Sequence, residues 1–199
     1  MTTMLGIERP FSGDVVGAYG ENYRAPLISS AAPVAQTIPL PAVGTTPLTT
    51  VTATIHAASI ILPVNQPISK LVTCPTVAGT VTGFWVALLD ASLIVRAVSA
   101  NQVVVTTGFW SLSVLPPSSV PFVSPYAGLY YVAIGTVSTV APQVAAQAAA
   151  PTVAAVSGPP IYCGTSATAA TTTPPILGAQ LGALTGVASN EFYAAAYAA

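Results

Sequence analysis

Few residues in this chain are equipped for acid–base, nucleophilic or metal chemistry. His56 is the single histidine, Cys74 and Cys163 are the two thiols, and Asp90 is the carboxylate inside the predicted sheet structure. A nucleophilic triad needs a serine, a histidine and a carboxylate that meet in space. Serines are plentiful, but no G-x-S-x-G elbow occurs and carboxylates are nearly absent. Glycoside hydrolysis needs two carboxyls flanking one sugar, and Asp90 has no visible partner. One histidine and two widely separated cysteines make no recognisable metal cluster. No glycine loop precedes a helix to cradle phosphate. The chain is therefore read as non-enzymatic, with no catalytic, cofactor-binding or metal-binding residue assigned.

The elements around these residues give each a plainer role. TTVTATIHAAS, residues 49–59, alternates cleanly. Val51, Ala53 and Ile55 share one side, and Thr50, Thr52, Thr54 and His56 share the other, as in a half-buried strand. His56 is thereby expected on the polar face, solvated or in a cross-strand contact. Asp90 opens the break Asp90-Ala91-Ser92 inside GFWVALLDASLIVRAVS, residues 83–99. That stretch reads as a hairpin, with Asp90 serving local hydrogen bonds in the turn. Trp85, Ala87 and Leu89 fall on one face of its first strand, and Phe84, Val86 and Leu88 on the other. A strand apolar on both faces must be covered on both, so the hairpin belongs inside a packed sheet. The cysteines are expected as two buried thiols, with a single bridge as the alternative.

Further strands are expected at 67–74, near an edge with Lys70 guarding it, at 103–106, at 109–115 and at 126–137. In the third of these Trp110, Leu112 and Val114 alternate with Ser111 and Ser113, giving one buried face. The last, YAGLYYVAIGTV, is again apolar on both faces and is expected to pair near the hairpin. Residues 138–160 form an Ala/Pro-rich excursion in which prolines interrupt any helix. IYCG at Ile161 reads as a short strand and ATAATTTPP as a loop, while ILGAQLGALTGVAS and the terminal EFYAAAYAA look like closing segments, with Phe192, Tyr193 and Tyr197 anchoring the end. Six to eight short strands separated by Pro/Gly turns predict an all-β fold, a β-sandwich and in finer detail a jelly roll.

Residues 1–26 stand apart. They hold five of the nine charged residues, namely Glu8, Arg9, Asp14, Glu21 and Arg24, together with Phe11, Tyr19 and Tyr23 among glycines. No period of 2 or 3.6 emerges, so this stretch reads as an extended arm. Its aromatics and charges, Phe11, Tyr19, Tyr23, Arg9 and Arg24 in particular, are the expected docking residues. Residues 27–47 form a proline-rich linker, and 48–199 form the sandwich domain.

Composition sets the limits on partners. Charged residues make up 5% of the chain, against about 25% in an ordinary soluble domain. The 94 residues from Ala97 to Asn190 carry no charge. Such a surface gains little solubility from charge, which points to a homo-oligomer, a trimer as first expectation, or to a place in a larger assembly. Four basic residues cannot build a phosphate-neutralising patch, so nucleic acid is not an expected partner. No uninterrupted run of about twenty strongly apolar residues exists, and no membrane span is expected. The N-terminus lacks a basic start followed by an apolar core, so no Sec-type signal is expected. A sandwich of this kind can also hold a glycan on exposed aromatics. Phe109, Tyr126 and Tyr130 are the candidates for that role, or for core and subunit contacts.

FWVALLDASLIVRAVSANQ, the Phe109-Trp110 strand, YAGLYYVAIGTV and LGAQLGALTGVAS follow one another in an order that resembles β-sandwich virion proteins of actinobacterial double-stranded DNA phages. The likeness is one of hydrophobic order, runs over residues 49–189, and is carried chiefly by Val86 to Val98 and Gly128 to Ile134. It implies a structural protein on the particle surface, of the minor-tail, fibre or capsid-decoration kind. Such a protein is assembled in the host cytoplasm and able to contact a host surface glycan; the arm at 1–26, which lies outside the likeness, is expected from its own residues to join it to other virion proteins. It implies no catalytic residue. The alternative from a different class is a secreted or envelope-associated lectin-like module of an actinobacterium.

Overall fold

The computed structural model describes residues 33–39, 43–44, 46–114, 120–147, 163–186 and 191–198. The arm at 1–26, with Arg9, Phe11, Tyr19, Tyr23 and Arg24, lies outside them. The described chain is all-β, with no helix. It opens with β1 (Ala35–Gln36), β2 (Leu48–Thr49), β3 (Thr54–Leu62), β4 (Pro67–Thr73) and β5 (Pro75–Val77). The long β6 (Thr80–Asp90) turns back into β7 (Val95–Val98), followed by β8 (Trp110–Ser113), β9 (Phe122–Val123) and β10 (Gly128–Val140). The remaining strands are β11 (Gln143–Val144), β12 (Ala146–Gln147), β13 (Cys163–Ala169), β14 (Leu184–Gly186), β15 (Glu191–Phe192) and β16 (Ala194–Ala198).

Two antiparallel sheets form the sandwich. One is six-stranded in the order β14-β13-β3-β10-β6-β7, and the other runs β1-β16-β4-β8 with β9 also on β4. Two smaller pieces, β2-β11-β5 and β12-β15, complete the strand pairing. The main core lies between the large sheets. Ile60, Leu62, Phe84, Val86, Leu88, Tyr130, Val132 and Ile134 from the first sheet meet Ile68, Leu71, Leu112, Val114, Ala194 and Ala196 from the second. Small alanines on β16 let the sheets approach, while the rings of Phe84 and Trp110 meet at 5.2 Å and fill the space between.

The outer faces are also apolar, which explains strands that are hydrophobic on both sides. Ile55, Ala57, Trp85, Ala87, Leu89, Tyr131 and Ala133 form a second cluster on the outer face of the six-stranded sheet. Ala170 and Leu181, with Ala179 and Leu184 beside them, cover it. Leu184 stands on the edge strand β14, and Ala170, Ala179 and Leu181 belong to a strap that crosses the sheet. Its Ala170 N–H reaches the Ala53 carbonyl, its Gly178 N–H the Val95 carbonyl, and its Leu181 N–H the Leu93 carbonyl. A third cluster, with Ile38, Val72, Tyr193, Ala195 and Tyr197, lies on the outer face of the other sheet.

The β6–β7 hairpin, its division of faces, and the pairing of β10 with β6 agree with the sequence reading. Five local expectations do not. In the stretch read as an irregular excursion at 138–160, β10 continues to Val140, and β11 and β12 pair with β2, β5 and β15. Residues 51–53 form a turn, with Ala53 at φ 55, so the strand begins at Thr54 rather than at Thr49. β4 is an interior strand, flanked by β16 on one side and by β8 and β9 on the other. No strand forms over 103–106; after one bridge at Gln102, Val103 and Val104 are each 65% exposed. Ala35–Gln36, inside the proline-rich segment read as a linker, pairs with β16.

Candidate functional site

His56 is not on a solvated face. It is 5% exposed, sits in register with Ile134 and Thr165, and its Nε2 accepts the Val51 N–H at 3.2 Å. Burial holds its pKa below the ordinary histidine value. A neutral imidazole used as a backbone acceptor closes the turn before β3 and is not poised as a base. Cys163 is buried and Cys74 half-buried, both as thiols. Burial and the nearby Glu191 push Cys163 up to about 11, the opposite of a reactive thiolate. Glu191 is itself raised to about 7 by burial. Among the described residues no group of three His, Cys, Asp or Glu side chains is placed to hold a metal. No described helix is long and apolar enough to cross a membrane.

The residues that do come together lie at one end of the sandwich, where β6 turns into β7 and where residues 120–127 lead into β10. Asp90 is buried, and its carboxylate is saturated. Oδ1 accepts the N–H groups of Ser92 at 2.9 Å and Ile94 at 3.0 Å. Oδ2 accepts Arg96 Nε at 2.8 Å and lies 2.6 Å from a terminal guanidinium nitrogen. The turn follows from this. The Leu93 N–H donates to the Asp90 carbonyl, and Leu93 takes φ 62; the returning strand pairs Val95 with Leu89 and Ala97 with Leu88, so the register shifts at Arg96, as in a bulged hairpin.

Directly across the sheet from Asp90 stands Tyr130, its register partner on β10. Tyr130 is fully buried, so it is a core residue rather than a surface contact. Its phenol is pushed up to about 12, by burial first and then by Tyr126 and Asp90. Tyr126 stacks on it with centroids 4.8 Å apart and planes 16° from parallel. Phe122 packs edge-on against the same ring at 6.1 Å. The Tyr126 hydroxyl accepts the Ala91 N–H at 3.3 Å and donates to the Leu129 carbonyl at 3.4 Å. The loop carrying it is tied down as well. The Ser124 carbonyl accepts the Asn65 N–H at 2.8 Å, and the Ser124 hydroxyl accepts the Gln66 N–H at 3.0 Å and donates to the Pro63 carbonyl.

Of the three aromatics singled out from sequence, then, Tyr126 is exposed, Tyr130 is core, and Phe109 is half-buried edge-on against Tyr193 at 5.9 Å. The structure brings Tyr126 and Tyr130 together and leaves Phe109 on the outer face of the other sheet. Arg96 was passed over in the sequence reading. Its signal was there: Asp90 and Arg96 are the only charges between Lys70 and Glu191, and they flank one turn. Comparison with family models, curated proteins and solved structures returned no significant match.

Proposed function

We propose that this chain is a non-enzymatic structural protein on the surface of a bacteriophage particle, of the minor-tail, fibre or capsid-decoration kind. The observation that carries the reading is the poverty of charge over a surface that also exposes apolar side chains. Across the described residues the charged side chains are Lys70, Asp90, Arg96 and Glu191. Asp90 is buried against Arg96, and Glu191 is largely withdrawn from solvent. Ile61, Val64, Val103, Val104, Val123, Val140 and Ile176 stand exposed. A lone domain with this surface has little to keep copies apart, whereas a domain held among neighbours needs no such protection. The order of hydrophobic strands that resembles phage virion sandwiches adds the kind of assembly.

In this reading residues 1–26 attach the chain to other virion proteins, because charge and aromatics concentrate there and a core of their own does not. An arm of that kind gains order only by laying its aromatics and ions on a partner. The sandwich then projects from the particle or packs among copies of itself, a trimer being the first expectation. The test is to express a chain lacking residues 1–26 during particle assembly. A cooperatively melting, β-rich protein absent from purified virions is expected; normal incorporation would move the docking surface onto the sandwich.

A further inference from the structure

We infer that the Tyr126 end of the sandwich is a binding site for a neutral pyranose, stacked on the Tyr126 ring and hydrogen-bonded by Arg96. The inference rests on the particle-surface reading for its biological setting, but on geometry for its chemistry.

Tyr126 is 39% exposed, yet it is held on three sides. One face lies on Tyr130. Its Cδ2–Cε2 edge runs along Gly128, where an added Cβ would meet those two atoms at 3.4 Å and no others within 4 Å. Its hydroxyl is fixed between Ala91 and Leu129. These contacts leave the exposure of Tyr126 to the ring face turned away from Tyr130 and to the Cδ1–Cε1 edge. A rigid, outward ring face backed by a second aromatic ring suits the C–H face of a sugar, because little side-chain entropy is lost on stacking.

The polar half of the site adjoins it through the chain itself. Ala91, which donates to the Tyr126 hydroxyl, directly follows Asp90, whose carboxylate holds Arg96. The Arg96 side chain is 41% exposed, and a guanidinium offers five N–H donors, of which the Asp90 contact uses only some. The Asp90 oxygens are filled by four donors, so Arg96 is oriented and its charge balanced. The pair presents directed donors with no net charge. That combination favours hydroxyl oxygens of a neutral polyol over a phosphate or a carboxylate, which an unbalanced cation would draw.

The test is ligand-observed saturation-transfer NMR on the full chain, with the methyl pyranosides of glucose, galactose and mannose offered separately at millimolar concentration. At least one should receive saturation, concentrated on the protons of one ring face. Tyr126→Leu, which keeps an apolar cover on Tyr130 but removes the ring, should abolish the transfer, and Tyr126→Phe should retain it. Arg96→Lys keeps a cation on Asp90 but removes the planar fork, and should weaken binding several-fold; it serves if Tyr126→Leu does not fold. No transfer to any of the three, or equal transfer to wild type and Tyr126→Leu, would overturn the inference. Incorporation of Tyr126→Leu into particles is expected to be normal, so failure of the sugar site and failure of the particle reading give different results.

Discussion

Trp85 and Gly135 are register partners on β6 and β10, and no methyl group fits between them. A Cβ built on Gly135 would overlap the Cζ2, Cε2 and Cη2 atoms of the indole. The indole lies across the bare glycine on the outer face of the six-stranded sheet and donates Nε1–H to the Thr171 carbonyl at 3.0 Å. One contact thus joins the two central strands to the strap that covers them.

Gly135→Ala should therefore destabilise the protein by about 1–3 kcal/mol or more, as overpacking of a filled core does. Trp85→Ala should cost about 3–5 kcal/mol, the range for a buried large aromatic cut to alanine. The pair should be strongly non-additive, because the new methyl occupies space the indole has vacated. Urea unfolding of the two single variants and the double variant gives the coupling directly. Additive losses would mean that the indole does not lie over Gly135.

Removing the carboxylate at the hairpin turn should loosen that turn. Asp90→Ala strips the Ser92 and Ile94 N–H groups and Arg96 of their acceptor, and should cost about 2–3 kcal/mol, as expected for hydrogen bonds to a charged group. Asp90→Asn keeps an acceptor and should cost less. Thermal midpoints of the two variants decide this; equal losses would contradict the hydrogen-bonding role.

Glu191 should make the protein less stable as pH rises. Its folded pKa, about 7, lies above the unfolded value of 4.5. Between those values the folded chain keeps a proton that the unfolded chain releases. The associated stability is complete below pH 4.5 and is lost as pH rises through 7. Glu191→Gln should remove this slope and raise stability at pH 8 by up to about 3 kcal/mol. Denaturant midpoints at pH 5 and pH 8 that shift equally in wild type and variant would contradict it.

His56 should act in the opposite sense. Its folded pKa is lowered from 6.5, so its stability is complete above pH 6.5 and is lost as pH falls through that value toward the folded pKa. Protonating Nε2 also removes the acceptor for the Val51 N–H. Between pH 5 and 6.5 the Glu191 and His56 effects oppose each other, so the experiment belongs in the Glu191→Gln background. Stability there should fall with acid, and His56→Gln should flatten the fall. A histidine that titrates at its ordinary value, followed by NMR, would contradict the buried placement.

Strands whose character lies in their own residues were legible. Phe84 to Leu89 and Tyr130 to Ile134 declare two covered faces, and Trp110 to Val114 declare one. What depends on distant partners was not. Nothing within PISKLVT says that the C-terminal β16 will lie beside it and make it interior. Ala53 in a left-handed conformation carries no sequence mark, since glycine or asparagine would be the expected residue, so the alternation of 49–59 reads as one strand. His56 went to the polar face by the same alternation; it fills the buried position opposite Ile134 because its imidazole finds a backbone donor there. At the Tyr126 end the aromatics were visible as types. Which of them faced outward depended on the Gly128 backbone and on the stacking of Tyr126 over Tyr130.

Quantitative mass spectrometry of gradient-purified virions decides whether this chain is a component of a phage particle. The polypeptide is expected at a fixed copy number relative to the major capsid protein, accessible to antibody on intact particles. Its absence from purified particles, with the chain recovered only from the soluble lysate or from the cell envelope, would rule out a place in the particle.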